Sequence, residues 1–228
     1  MLAKRIAFLT AYQHAAYAET YRIFVEQVRT AEAPLGKTTL TEAVARYLFK
    51  LMAYKDEYEV ARLHTDTAFL AKVNAMFEGE FTLNYHLSPP LLAEKNDKGE
   101  LQKRAFGPWM LTAFKGLARL KGLRGTAFDV LGYSDERRAE RALITDYRAS
   151  MEALLDRLTV ANHAEALEVA RVPELIKGYG HVKARHLVEA RMQWALREAA
   201  FDAVCQAPAL GRHPPLTVAS IALDAHRV

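Results

Sequence analysis

Thr39-Leu-Thr-Glu-Ala-Val-Ala-Arg-Tyr-Leu-Phe-Lys-Leu-Met52 carries the strongest helical signal in the chain. Val44, Tyr47, Leu48, Leu51 and Met52 recur at the three-to-four-residue spacing that stacks side chains on one face of a helix, and that face is apolar throughout. Thr39 and Glu42 stand in front of it in the Ser/Thr-x-x-Glu pattern of a capping box. On the N-terminal side, Tyr17, Tyr21, Phe24 and Val28 make a second stripe, which Ala33-Pro34-Leu35-Gly36 stops. On the C-terminal side, Lys55-Asp56-Glu57 marks a polar bend before a short helix with Tyr58, Ala61 and Leu63. Thr65 or Asp66 caps the next helix, with Phe69, Leu70, Val73 and Phe77 toward the core and Gly79 at its end.

The helical pattern stops at 80–107. Phe81, Leu83, Tyr85 and Leu87 alternate with Thr82, Asn84 and His86, which predicts a strand. Pro89-Pro90 ends it, Asn96-Asp97-Lys98-Gly99 turns the chain, and 101–106 returns as the second strand. Helices resume at Pro108, with Met110, Ala113, Phe114 and Leu117 at helical spacing, closed by Gly122 and Gly125. A loop over 126–133 leads to Ser134, which caps a long helix. Leu143, Tyr147, Leu154 and Leu158 share its inner face, and its Glu- and Arg-rich outer side reads as solvated. Thr159 caps a helix running through Val172, and Pro173 breaks it. After Gly178 and Gly180 a last long helix runs to about Gln206, carrying Val188, Met192, Ala195, Ala199 and Ala203. The expected fold is mainly α: a multi-helix bundle with one small β-hairpin at about 80–106. Three segments are expected: an N-terminal helical segment (1–36), a helical domain (37–206) and a tail of uncertain order (207–228).

Composition narrows the function. Of 228 residues 51% are hydrophobic and 25% charged, which suits a folded domain with a real core. No apolar run reaches the roughly 18 residues of a membrane helix, and the start lacks the features of a secretory signal. A cytoplasmic protein without a membrane partner is expected. The single cysteine, Cys205, cannot form an intramolecular disulfide or a thiolate cluster and reads as a small hydrophobe on a helix face. The net charge of +4 permits an acidic partner without demanding nucleic acid. The sequence holds no GxGxxG or GxxxxGK[ST] phosphate loop, no GxSxG elbow and no HExxH. His181 and His186, five apart, point to different sides of a helix. No metal or cofactor is therefore expected to be held by this chain.

Three constellations remain. From Leu101 to Phe128 there is no Asp or Glu, while Lys103, Arg104, Lys115, Arg119, Lys121 and Arg124 are interleaved with Phe106, Trp109 and Phe114. Such a stretch attracts phosphates or acidic proteins, unless acids at 135–146 neutralise it in the fold. Asp56 and Glu57, with Arg46, Lys50 and Arg62 nearby, offer a paired acid and base or, more plainly, a salt-bridge network at a bend. Gly178-Tyr179-Gly180-His181 either cradles an anion at a helix start or is a simple turn.

Those stretches also carry a family resemblance. Ala43-Val-Ala-Arg-Tyr-Leu-Phe-Lys-Leu-Met-Ala-Tyr-Lys-Asp-Glu-Tyr-Glu-Val-Ala-Arg-Leu63 resembles a signature of the C-terminal region of indolepyruvate ferredoxin oxidoreductases, the large fused 2-oxoacid oxidoreductases. His86-Leu-Ser-Pro-Pro-Leu-Leu92, Phe106-Gly-Pro-Trp-Met110, Arg119-Leu-Lys-Gly-Leu-Arg-Gly125 and Lys177-Gly-Tyr-Gly-His-Val-Lys183 resemble the same region in the same order. Ala7-Phe-Leu-Thr-Ala-Tyr-Gln13 looks like the join from a preceding catalytic γ-type domain. The resemblance covers roughly 1–206 and implies a helical accessory domain of an enzyme that oxidatively decarboxylates aryl 2-oxo acids. The whole enzyme would use thiamine diphosphate, iron–sulfur clusters and coenzyme A and pass electrons to ferredoxin. The motifs for those groups lie upstream of the matched region, so no catalytic residue maps onto this chain. The implied partners are the catalytic domains and ferredoxin. An independent basic module for anions or nucleic acid, or an acid–base enzyme built on Asp56 and Glu57, are the alternative readings.

Overall fold

The 39–52 stretch is the helix around which the others gather. The computed structural model describes residues 1–87, 102, 104–178 and 180–207. In chain order its helices are α1 (Leu2–Tyr12), α2 (Ala15–Glu32), α3 (Thr39–Met52), α4 (Glu57–His64), α5 (Thr67–Asn74), α6 (Trp109–Arg119), α7 (Asp135–Leu155), α8 (His163–Ala170) and α9 (Gly180–Gln206). Two short strands, β1 (Tyr85–Leu87) and β2 (Arg104–Phe106), pair antiparallel with Tyr85 opposite Phe106. The chain is thus mainly α with one small hairpin.

α3 packs on α2, α7 and α8, and α9 packs on α8. Their inner faces meet in one core that includes Phe24, Val44, Leu48, Tyr147, Val169 and Phe201, all fully buried. Leu9 and Tyr21 belong to the same core, so residues of the 1–36 segment and of 37–206 share it. A smaller core of Ala61, Tyr85, Met110 and Phe114 forms where α4 packs on α6 and the hairpin. His64 stacks on Phe114 there at 5.2 Å. The burial lowers its pKa, and nearby Lys55 acts in the same direction.

Several local expectations are corrected. The start of α3 is not closed by a Thr39–Glu42 capping box. The buried carboxylate of Glu32, at the end of α2, accepts from the N–H groups of Leu40 and Thr41 at 2.8 Å each and from the Thr41 hydroxyl at 2.6 Å. A charged acceptor arriving from another helix satisfies orphan donors better than the local pattern. α5 ends at Asn74, not Gly79, and Phe69 and Phe77 are 41% and 53% exposed rather than core. Only three residues of the predicted first strand pair; the turn at 96–99 lies outside the described residues. The 163–170 helix begins four residues after Thr159, because Asn162 and Thr159 hydrogen-bond each other in a turn.

The two long helices show where the charged and apolar faces lie. The charged side of α7 is not all solvated: Arg137 and Glu140 are buried and paired. On α9 the core face is Ala190, Trp194 and Phe201, while Val188 and Met192 are 63% and 53% exposed and Ala195, Ala199 and Ala203 are exposed with them. Cys205 is exposed too, its Sγ accepting from Asn162 at 3.2 Å. Both faces of α9 are apolar, and the aromatic rings, which bury more area than alanines, take the inner side.

Tyr147, fully buried on α7, donates its hydroxyl to the carbonyl of Ala170 at the end of α8, 2.9 Å away. Tyr147→Phe should leave that carbonyl unpaired and lower stability by about 1–2 kcal/mol in urea unfolding. An unchanged midpoint would show the bond to be dispensable.

Candidate functional site

The bend at 55–57 is where charge is concentrated inside the molecule. Asp56 caps α4 by accepting from the Glu59 N–H at 2.9 Å. The same carboxylate takes a bidentate pair from Arg124, at 2.5 and 2.8 Å, with both side chains 3% exposed. Arg124 also donates to the Tyr12 carbonyl at 2.7 Å, and its guanidinium carbon lies 3.7 Å from the Tyr12 ring centroid. Burial alone would lower the Arg124 pKa, but the Asp56 hydrogen bonds and charge outweigh it, and the group is held charged.

Three tyrosines surround the pair. Tyr12 donates to the Tyr54 carbonyl at 2.9 Å. Burial and the negative charge of Asp56 push the Tyr54 phenol up to about 12. Tyr58 donates to Asp129 at 3.0 Å; burial, that hydrogen bond and the Asp129 charge raise its pKa further. Asp129 in turn accepts from the N–H groups of Gly125 and Gly132. A Cβ on Gly132 would sit 2.2 Å from Asp129 Oδ2, so only glycine fits the tight turn over 129–132. This hub ties α1, α4 and the 120–133 connection together by directional bonds.

The predicted polar cluster therefore does not converge on one point. Asp56 pairs with Arg124. Glu57 pairs with Arg137, which also binds Glu140, and Lys183 joins from α9. Arg62 makes a bidentate pair with Glu59 on its own helix. Arg46 lies over the Tyr47 ring on the exposed side of α3, and Lys50 donates to the carbonyls of Pro173 and Ile176 at 2.7 and 2.8 Å. Asp56 and Glu57, each held in its own ion pair, do not form a paired acid and base.

The basic stretch divides as well. Lys115 and Arg119 are exposed, one turn apart on α6, and Arg104 is exposed on β2; Lys103 lies outside the described residues. Lys121 is half-buried and donates to the Ala11 carbonyl, and burial lowers its pKa, with Arg62 and Arg124 acting alike. Arg124 is interior. The last two thus hold the fold together and are withdrawn from the predicted docking surface. Among the described residues no ion pair joins an acid of 135–146 to Lys115, Arg119, Lys121 or Arg124; the carboxylate that meets Arg124 comes from Asp56.

At the third constellation, Gly178 has φ +85, and a Cβ there would lie 2.8 Å from Val182 Cγ1. His186 Nδ1 lies 2.8 Å from the Lys177 carbonyl, closing the turn before α9. Gly178 and Lys177 border a groove of about 510 Å³ lined also by Lys50, Lys55, Tyr54 and Lys183. Sequence reasoning singled out the glycines but missed the groove, because Lys50 and Lys55 reach it from a different part of the chain. It also missed Glu32, Tyr12 and Asp129, whose long-range partners leave no local spacing signal.

Among the described residues no group of three or more His, Cys, Asp or Glu is arranged to hold a metal ion, and no helix is long and apolar enough to cross a membrane. No curated protein and no solved structure matches the chain. One family model does, over residues 1–196, and its description is a family of unknown function, DUF6537. With that model spanning most of the 228 residues, the chain belongs to the DUF6537 family.

Proposed function

We propose that this chain is a structural and interaction domain of an indolepyruvate:ferredoxin oxidoreductase-like enzyme, whose catalytic portion oxidatively decarboxylates aryl 2-oxo acids in the cytoplasm. On this reading thiamine diphosphate, the iron–sulfur clusters and coenzyme A belong to the catalytic portion, and this chain contributes a docking face.

The observation that carries the interaction role is the second apolar face of α9. Val188, Met192 and Leu196 follow one another four residues apart and are 63%, 53% and 63% exposed. At 100° per residue this stripe lies roughly 180° around the helix from the buried Ala190, Trp194 and Phe201 side. A helix apolar on two opposite sides with one side uncovered fits a helix between two layers. The family resemblance supplies the occupant: the catalytic portion of the parent enzyme. Lys115 and Arg119, the exposed cations of α6, suit the acidic surface of ferredoxin.

The test is co-elution of the purified chain with the catalytic portion of such an oxidoreductase. The wild type should form a defined complex, and Val188→Glu with Met192→Glu should weaken it by roughly 100-fold or more, since two buried anchors of about 2 kcal/mol each would be lost. Absence of a wild-type complex would overturn the proposal. The loss of Lys121 and Arg124 from the surface counts against an independent nucleic-acid module; a gel shift with a steep salt dependence would restore that reading at this one's expense.

A further inference from the structure

The groove beside the start of α9 holds more positive charge than the fold uses. Of its two carboxylates, Glu59 is taken by Arg62 and Glu140 by Arg137 and Lys183. Lys50 is pinned by two backbone carbonyls, which are neutral acceptors. Lys55 and Lys177 are exposed on the rim. Three ammonium groups thus border one space, and among the described residues no carboxylate is in ion-pair contact with them. Burial lowers the Lys50 pKa first, with Lys177, Lys183 and Arg46 adding to the effect and Glu174 opposing it. Glu174 acts on Lys50 and Lys177 only from beyond ion-pair contact; like charges gathered with so little direct pairing break a local rule of stability, and such breaches mark functional positions.

The floor of the groove is apolar, with Phe8, Leu51, Leu143 and Ile176. A second groove of about 280 Å³ adjoins it, sharing Lys55 and Leu63 and reaching His64 and Phe69. The volume is in the range that accepts a small organic ligand. Lysine binds phosphate as a compact point charge, and three such charges favour a dianionic head over a singly charged carboxylate.

We infer that this groove binds an organic phosphate monoester, its dianionic head between Lys50, Lys55 and Lys177 and its apolar body on the Phe8, Leu51 and Leu63 floor. The site is separate from the α9 docking face, so its failure would leave that proposal standing. Titration of the full chain with phenyl phosphate, followed calorimetrically, should give saturable one-to-one binding. That binding should be at least roughly tenfold tighter than for inorganic phosphate, which cannot use the floor. Lys55→Gln with Lys177→Gln should weaken it by roughly tenfold or more. Lys37→Gln with Arg29→Gln, exposed charges away from the groove, should leave it unchanged. In the wild type, phenyl phosphate should protect Lys55 and Lys177 from acylation, read by mass spectrometry, whatever the variants do to folding. The inference fails if binding does not saturate, if inorganic phosphate binds as well as phenyl phosphate, if both double variants weaken binding equally, or if the two lysines gain no protection.

Discussion

Asp56→Ala should lower the unfolding free energy by about 3–5 kcal/mol, because it strands Arg124 as an uncompensated charge in the interior. The bidentate bonds, the α4 cap and the rigid seat of Arg124 against Tyr12 are lost together. Replacing both partners should cost far less than replacing Asp56 alone: an Asp56→Leu, Arg124→Met chain removes the stranded charge along with the bond. Urea unfolding followed by far-ultraviolet circular dichroism checks this. A single-variant loss below about 1 kcal/mol would mean that water reaches Arg124 and the pair behaves like one at the surface.

Glu32→Ala should be comparably severe, at about 3–5 kcal/mol, since it leaves three buried donors of α3 and the His163 ring without their acceptor. Glu32→Gln keeps the shape but turns an N–H toward donors, and should cost about 2 kcal/mol. Burial alone would raise the Glu32 carboxyl; hydrogen bonds from the Thr41 hydroxyl, His163 and the Thr41 and Leu40 N–H groups outweigh it, and its pKa is lowered. A carboxyl whose folded pKa lies below its unfolded value stabilises fully above the unfolded value, about 4.3, and loses that stabilisation as pH falls toward the folded one. Wild-type stability should therefore decline on acidification below about pH 5, and the decline should be shallower in Glu32→Gln. Parallel curves for the two proteins would remove Glu32 from this account.

The helices were legible because their inner faces are regular. Tyr21, Phe24 and Val28, and Val44, Leu48 and Leu51, are spaced as a buried stripe must be, and they are buried. Ser134 caps α7 and Asp66 caps α5 as their chemistry predicts. The misreadings share one physical cause: where two solutions satisfy the local pattern, a partner distant in sequence chooses. Glu32 displaced the local capping box, and Trp194 with Phe201 claimed the inside of α9 over a cleaner alanine stripe. Of the candidate sites, the 55–62 charges were visible as a bend with ion pairs, but not their division among Arg124, Arg137 and Glu59. The basic stretch looked continuous because sequence spacing says nothing of depth, and Arg124 turns inward where Lys115 does not.

The Asp56–Arg124 hub also bears on shape. The smaller core around Phe114 is joined to the larger one partly through bonds that have direction, whereas apolar contact has none. A greasy seam tolerates sliding and rotation at little cost; a two-pronged bond with fixed lengths and a ring beneath it does not. The angle between α6 with its hairpin and the rest of the bundle is accordingly set as a carpenter's dowel sets a joint, and with it the spacing between the α6 cations and the exposed stripe of α9.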